Sequence, residues 1–208
     1  MGLFGREGKG SPFDWLVVGL GNPGAKYAKT RHNVGEEVVR VLAERRHETL
    51  KGGRDNALVA ETRFDGPGGP GDERVALAFP ITYMNESGRA VGAMVRRYRI
   101  ESVDRIIVVH DELDLAPGDL RLKAGGGLAG HNGLRSITDH VKSKDYLRVR
   151  IGVGKPDSKH VGKVHVLNPF PKRQRELIDV VIADAADAVE MIVERGLDAA
   201  MQRYNTKR

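Results

Sequence analysis

The stretch WLVVGLGNPGAKYAKTRHN, residues 15–33, joins an apolar run to a polar loop and spaces three glycines as G-x-G-x-x-G. These glycines form a dinucleotide-binding turn when a helix begins within them and an acid ends the next strand. Here AKYAKTRH lacks an apolar stripe, helical spacing begins only near Val34, and Glu44 falls inside that helix. The context therefore predicts a buried strand followed by a functional loop. A nucleotide-dependent oxidoreductase stays as an alternative that rests on the glycines alone.

Short apolar runs and helical patterns alternate along the rest of the chain. Apolar runs predict strands at about residues 15–20, 57–64, 75–79, 105–110, 119–124 and 147–154. Helical spacing predicts helices at about 33–46, 87–98, 134–141 and 177–193, and a last one ending near Tyr204. Asn33 and Glu36 stand three apart, as in a capping box. The Gly/Pro-rich segment 65–73 makes a hairpin, so we predict an α/β fold with a twisted mixed β-sheet flanked by helices.

Length and composition bound the domain organisation and the partners. The 208 residues suit a single domain at 14–208, preceded by a flexible tail at 1–13. There is no cysteine, which excludes disulfides and a thiolate nucleophile. The net charge of +6 favours a polyanionic partner such as nucleic acid, although a basic protein without one is an equal alternative. With neither a membrane-length apolar run nor a signal-peptide pattern, we expect a soluble cytoplasmic protein.

Polar residues follow two further predicted strands. In FPITYMNESG, Asn85 stands at the mouth of a helix, where it is either an N-cap or left free because Ser87 caps. In RIIVVHDELDL, Asp111 comes just after a buried run. It either binds a metal together with His110 or orients a histidine, as a carboxylate does in hydrolytic triads.

A glycine-rich loop joins the predicted strand at 119–124 to the predicted helix at 134–141. GGGLAGHNGL joins glycines to His131 and Asn132, and no Lys-Ser/Thr pair follows, so it is not a P-loop. On its own it fits a flexible linker that ends in an asparagine cap. A single histidine in a loop, such as His32, is more often an exposed residue without a chemical role than a catalytic group.

Four motifs taken together carry a resemblance to a known family. VVGLGNPGAKYAKTRHNVG, TYMNESG, HDELDLAPG and GGGLAGHNGL, in this order over about residues 15–203, strongly resemble the bacterial-type peptidyl-tRNA hydrolases. The resemblance implies a twisted mixed sheet flanked by helices and a monomeric enzyme that needs no metal and no cofactor. It implies peptidyl-tRNA as the partner: the ester between the peptide and the 3′ ribose is cut, which recycles tRNA released from ribosomes.

The same resemblance implies roles for individual residues. His32 is the general base that activates water, and Asp111 holds its imidazole. Asn85 positions water and donates to the developing oxyanion, and Asn22 favours substrates whose amino group is blocked. The peptide or the tRNA end is held by four further residues: Tyr27, Tyr83, His131 and Asn132.

Basic residues alternate along two predicted strands. Arg121 and Lys123 share one side of LRLKA, and Arg148 and Arg150 share one side of LRVRIG. With the resemblance, these pairs predict a patch that binds tRNA phosphates. Without it, a solvated strand face is the better interpretation.

The chain also departs from the family pattern at several places. Segment 65–73 is longer than expected, Phe79 replaces a lysine before a proline, and Leu128 stands where a glycine or polar residue is usual. Leu128 is expected to affect peptide preference or the loop. The remaining alternative is a catalytically silent RNA-binding protein on the same fold, which would not require His32, Asp111, Asn85 and Asn22 together.

Overall fold

A seven-stranded mixed sheet runs through the part of the chain that the computed structural model describes, residues 12–156 and 162–206. Its strands are β1 (Trp15–Gly19), β2 (Lys51–Gly52), β3 (Ala57–Gly66), β4 (Gly69–Pro80), β5 (Ile106–Glu112), β6 (Leu120–Ala124) and β7 (Leu147–Gly152). Their spatial order is β2-β3-β4-β1-β5-β7-β6. Strands β4, β1, β5 and β7 are mutually parallel, whereas β2, β3 and β6 pair antiparallel with their neighbours.

Helices cover both faces of this sheet. They are α1 (Val34–Arg45), α2 (Ser87–Tyr98), α3 (Asn132–Val141), α4 (Gly162–Val166), α5 (Lys172–Arg195) and α6 (Leu197–Tyr204). The α/β fold with a mixed sheet is confirmed. Helix α4 was not predicted, because its five residues are too few to show an apolar stripe. No helix in the described ranges combines the length and apolar character needed to cross a membrane.

The alternation of side chains in β1 explains the two cores. Trp15 and Val17 belong to the apolar cluster shared with α1, α5 and α6. Leu16 and Val18 belong to the second cluster, shared with α2 and α3. Because successive strand side chains point to opposite faces, a continuous apolar run is what a strand buried on both faces requires.

The parallel strands bring three loops to one edge. The carboxyl ends of β1, β4 and β5 lie side by side, since parallel strands end at the same edge of a sheet. The segments that follow these strands, starting at residues 20, 81 and 113, therefore meet there, which is where α/β sheets place their sites.

Gly19, the first glycine of the G-x-G-x-x-G motif, serves packing. A Cβ on Gly19 would lie 2.1 Å from the carbonyl oxygen of Gly35, and one on Gly35 would lie 2.2 Å from that of Val109. These two glycines let the first turn of α1 approach β1 and β5 closely. Helix α1 begins only at Val34, so the structure contains no dinucleotide-type turn at these glycines.

Two predictions about irregular segments need correction. Segment 65–73 is not a long loop, because β3 extends to Gly66 and β4 begins at Gly69, which leaves a tight turn. Phe13, predicted as part of the tail, is buried with its ring centroid 4.7 Å from that of Tyr98. Residues 1–11 of the predicted tail lie outside the described residues.

Two helical glycines offer a matched test of this packing. We expect Gly35→Ala to destabilise the protein by about 1–3 kcal/mol, because its methyl group would meet a backbone carbonyl that cannot move cheaply. A Cβ on Gly92 in α2 would come no closer than 3.6 Å to its nearest neighbour, so Gly92→Ala should be neutral or stabilise by up to about 1 kcal/mol. Urea unfolding of both variants measures this. Equal effects of the two substitutions would contradict the packing role of Gly35.

Candidate active site

A cavity of about 690 Å³ opens at the edge where β1, β4 and β5 end. Eight residues predicted for catalysis or for binding the peptide or tRNA end all line it: Asn22, Tyr27, His32, Tyr83, Asn85, Asp111, His131 and Asn132. The four residues predicted to bind tRNA phosphates do not.

His32 and Asp111 form the centre of this cavity. Asp111 is the penultimate residue of β5 and is buried, while His32 lies in the 3-10 turn Arg31–Asn33 that leads into α1. The Nδ1 of His32 lies 2.8 Å from Oδ1 of Asp111. An ionised carboxylate only accepts hydrogen bonds, so Nδ1 carries the proton and the lone pair of His32 is on Nε2.

His131 donates to the same carboxylate oxygen. Its Nε2 lies 3.0 Å from Oδ1 of Asp111, and its Nδ1 accepts from the backbone N–H groups of Gly133 and Leu134 at 3.2 and 3.4 Å. The imidazole therefore caps α3 from Nδ1 and holds its proton on Nε2. The cap of this helix is His131, where the sequence had suggested an asparagine.

The charges of this cluster move two pKa values in opposite directions. Burial alone lowers the pKa of His32, but the negative charge and hydrogen bond of Asp111 outweigh it and raise that pKa above its ordinary value. Burial alone raises the pKa of Asp111, but the contacts with His32 and His131 bring it well below its ordinary value. Asp111 is thus ionised wherever His32 can act as a base.

His110 differs from the other two histidines. It is buried in the sheet, and its Nδ1 donates to the carbonyl oxygen of Asp111 at 2.7 Å. Burial, reinforced by the neighbouring His131, holds the pKa of His110 well below its ordinary value, so this ring stays neutral. Among the described residues, the ligand atoms that lie within 4.8 Å of one another are those of His32, Asp111 and His131, so His110 is not part of this potential metal group.

Asn22 is oriented by two neighbouring segments. Its Oδ1 accepts from the backbone N–H of Met84 at 2.9 Å. Its own backbone N–H and carbonyl are both bonded to the Asn33 side chain, at 3.0 and 2.9 Å. Because Oδ1 is occupied, the group that Asn22 offers to the cavity is the Nδ2 donor.

Asn33 does not form the predicted capping box. Its Nδ2 donates to Oε2 of Glu36 at 2.7 Å, and it makes no side-chain bond to the backbone N–H groups of α1. The two residues do interact across the predicted spacing, but the amide of Asn33 holds the loop at Asn22 instead of capping the helix.

Asn85 is exposed at the cavity wall, in the 3-10 turn Met84–Glu86. Neither Asn85 nor Ser87 caps α2, which corrects both alternatives. The N-cap position is Glu86, without a side-chain bond, and the hydroxyl of Ser87 donates to the Met84 carbonyl at 2.8 Å. Within the described residues the amide of Asn85 has no hydrogen-bond partner, which leaves it available to a ligand.

An apolar part of the cavity lining was not predicted from the sequence. Leu113, Val166 and Leu167 contribute apolar surface there. Nη1 of Arg31 donates to three carbonyls at and after the end of α4, those of residues 165, 168 and 169, and so ties this part of the lining to the turn that carries His32. The only available signal was the position of an arginine directly before the histidine.

Two departures from the family pattern have structural explanations. Phe79 is buried at the end of β4 within the α1 and α5 core. Leu128 is half-buried against the cluster shared with α2 and α3, and its carbonyl accepts from the backbone N–H of His131 at 2.8 Å. Leu128 is thereby an anchor of the glycine-rich loop and is not among the residues that line the cavity.

The basic residues of β6 and β7 face one another. The register pairs Arg121 with Arg150 and Lys123 with Arg148, so all four lie on one face of the sheet. Burial and the nearby cations Arg150 and Arg148 lower the pKa of Lys123. The guanidinium of Arg150 is held by the Glu112 carboxylate at 3.0 and 3.2 Å.

Arg148 does not fit the predicted phosphate patch. It is only 1% exposed, and its guanidinium donates to backbone carbonyls of residues 126, 127 and 144. The prediction that it presents a free cation is wrong, because alternation along a strand does not reveal which loop covers that face.

Comparison with known proteins identifies the family of this chain. The family model described as peptidyl-tRNA hydrolase matches residues 16–208. The chain belongs to the peptidyl-tRNA hydrolase family. This membership confirms the resemblance, the hydrolase class and the predicted activity on peptidyl-tRNA.

Relatives and solved structures agree with that assignment. The chain is 50% identical over 192 residues to the peptidyl-tRNA hydrolase of Leifsonia xyli subsp. xyli, covering 92% of this chain and 97% of the relative. It is 46% identical to that of Kineococcus radiotolerans, with 92% and 96% covered. The crystal structure of peptidyl-tRNA hydrolase from Acinetobacter baumannii is 39% identical, with a TM-score of 0.86 over 96% of this chain and 99% of that one.

The contact between His32 and Asp111 predicts how the pKa of His32 responds when the carboxylate is removed. Asp111→Asn removes the negative charge that favours the imidazolium, so the pKa of His32 should fall. Any reaction that requires neutral His32 should therefore continue at lower pH in the variant than in the wild type. The chemical shift of the His32 ring C–H followed against pH measures this, with His110 as an internal control that stays neutral. An unchanged His32 titration would show that Asp111 does not contact this ring in solution.

Proposed function

We propose that His32 is the general base of peptidyl-tRNA hydrolysis and that Asp111 orients it. The observation that carries this is the 2.8 Å bond from Nδ1 to Asp111, because it leaves the Nε2 lone pair for a water in the cavity. Neutral imidazole is a competent base near neutral pH, where hydroxide is scarce. Because Asp111 raises the pKa of His32, this ring is a stronger base than an unperturbed imidazole.

The reaction requires one proton to be carried through the imidazole. His32 Nε2 takes a proton from water as the water oxygen bonds to the ester carbonyl carbon. Asp111 stabilises the imidazolium that results. When the tetrahedral intermediate collapses, the bond to the ribose 3′ oxygen breaks and His32 returns the proton to that oxygen. The amide of Asn85, which is exposed in the same cavity, is assigned the role of donor to the developing oxyanion.

Substrate selection is assigned to Asn22 and its neighbours. The Nδ2 of Asn22 pairs with a carbonyl of the peptide, whereas a free ammonium would have to lose its water to enter the same place. Tyr27, Tyr83 and Asn132 line the same cavity and hold the peptide or the 3′ end of the tRNA.

The phosphates of tRNA are assigned to Arg121, Lys123 and Arg150. Burial, and after it the positive charges of Arg150 and Arg148, lower the pKa of Lys123, and a bound phosphate would offset that repulsion. The Glu112 carboxylate fixes the direction of Arg150 in the absence of RNA.

We further propose a metal-independent monomer that works in the cytoplasm and recycles tRNA. The Nε2 of His131 points its proton at Asp111, because its Nδ1 is committed to α3, and a protonated nitrogen is not a metal ligand.

Removal of the base is the first test. His32→Ala should lower kcat by about 10²- to 10⁴-fold while the affinity for tRNA is unchanged, because the ring acts on water. Hydrolysis of N-acetylaminoacyl-tRNA and a separate tRNA-binding assay measure the two. His140→Ala, an exposed histidine outside the cavity, is the control. Wild-type turnover in His32→Ala would contradict the assignment, and loss of activity in EDTA restored by a divalent ion would contradict the metal-independent mechanism.

Asn22→Asp tests substrate selection with little disturbance of the loop. An aspartate keeps an oxygen for the Met84 N–H but replaces the donor with a negative charge that attracts a free ammonium. The ratio of kcat/KM for blocked over unblocked aminoacyl-tRNA should fall by about tenfold or more. Asn56→Asp, at an exposed bend, should leave the ratio intact. An unchanged ratio in Asn22→Asp would place selection elsewhere.

The salt dependence of binding tests the phosphate contacts. Lys123→Ala and Arg150→Ala should each raise KM for tRNA and flatten its log–log salt dependence by up to about one unit for each phosphate that is no longer bound. Arg121→Ala should act in the same direction, and kcat should change little, because these contacts serve ground and transition states alike. Variants that match the wild type at every salt concentration would show that this is a solvated strand face.

A further inference from the structure

Arg148 is a buried cation whose guanidinium donates to three backbone carbonyls. Nη1 donates to Gly127 at 2.7 Å, and Nη2 donates to Gly126 at 3.1 Å and to Lys144 at 3.2 Å. Its guanidinium carbon lies 4.9 Å from the centroid of the Tyr146 ring. A planar fork of donors in this position joins β7 to the glycine-rich segment, residues 125–131, at two successive carbonyls.

The glycine-rich segment needs such an anchor because of its path. Strand β6 is antiparallel to β7, so Ala124 ends opposite Leu147, at the far edge from the cavity. The chain must return along the sheet to reach Asp111. Gly125 and Gly126 have φ angles of 60° and 93°, and Gly126 and Gly127 are exposed and have no side chain to pack.

The end of the segment is attached to the proposed catalytic pair. The backbone N–H of His131 donates to the carbonyl of Leu128, one residue beyond those held by Arg148. The His131 ring then donates to Asp111, which accepts from His32. A continuous line of contacts therefore runs from Arg148 through the segment to the base.

We infer that Arg148 is a positioning residue for the hydrolytic reaction, which acts by holding the glycine-rich segment so that His131 orients Asp111. This rests on the proposed role of His32 and Asp111. Burial separates Arg148 from the phosphate-binding function assigned to Lys123 and Arg150, although all share one face of the sheet. The planar fork matters as well as the charge, because a lysine ammonium reaches these diverging carbonyls less well.

A double-mutant cycle on a short substrate tests the inference. Arg148→Lys should lower kcat by about tenfold or more on an N-acetylaminoacyl-adenosine ester, which carries no distal phosphates, since small misplacements of catalytic groups cost this much. KM for full-length tRNA and its salt slope should not change. In a His131→Ala background the same Arg148→Lys substitution should lower kcat by less than about threefold, because Arg148 acts through His131. Arg63→Lys is the matched control, as Arg63 also donates to two backbone carbonyls but lies in the exposed β3–β4 hairpin.

Two outcomes would overturn the inference. If Arg148→Lys lowers kcat by the same factor with and without His131, Arg148 does not act through His131. A raised KM for tRNA and a flattened salt slope, with kcat intact on the short ester, would make Arg148 a phosphate contact. Failure of the catalytic proposal is distinguishable, because it would appear as activity in His32→Ala and not in this cycle.

A measurement on the wild type keeps the test decisive if Arg148→Lys does not fold. In ¹⁵N-labelled protein, the guanidinium N–H signals of Arg148 should exchange slowly and should not shift when a tRNA acceptor-stem mimic is added. Signals that exchange fast, or that shift on addition of the mimic, would overturn the inference.

Discussion

The buried carboxylate of Asp111 is the interaction on which the rest of the site depends. A single oxygen accepts from two imidazoles, His32 at 2.8 Å and His131 at 3.0 Å. A buried charge is tolerated only when it is paired and hydrogen-bonded, so both rings must be held where they are. The surrounding structure therefore serves to fix three segments around one atom. The 3-10 turn before α1 supplies His32, the end of β5 supplies Asp111, and the start of α3 supplies His131.

Different sets of contacts hold these segments in place. The close approach allowed by Gly19 and Gly35 sets the start of α1 against β1 and β5, and Asn33 then binds the loop at Asn22. The proposed role of Arg148 does the same for the glycine-rich segment. These contacts fix the backbone segments that carry His32 and His131. Precision of this kind is what proximity effects in catalysis require.

Much of this architecture followed from the sequence, because apolar runs and helical spacing depend on local periodicity. The bounds of α2 and the buried character of β1 and β5 belong to this class. The contacts that depend on tertiary packing did not follow: the burial of Arg148, the commitment of Asn33 to Glu36, and the clamp of Arg31 on the segment after α4. No periodicity records which loop covers a strand face. The resemblance of four motifs brought the cavity residues together, but it could not tell the partly exposed Arg150 from the buried Arg148.

The tautomer of His32 tests the central claim most directly. In ¹⁵N-labelled protein above the pKa of this ring, we predict a protonated Nδ1, with its proton shifted downfield by the Asp111 carboxylate, and an unprotonated Nε2. His131 should show the reverse pattern, with the proton on Nε2. A His32 ring protonated on Nε2 would contradict its role as the base, because the nitrogen that faces the cavity would then have no lone pair with which to accept a proton from water.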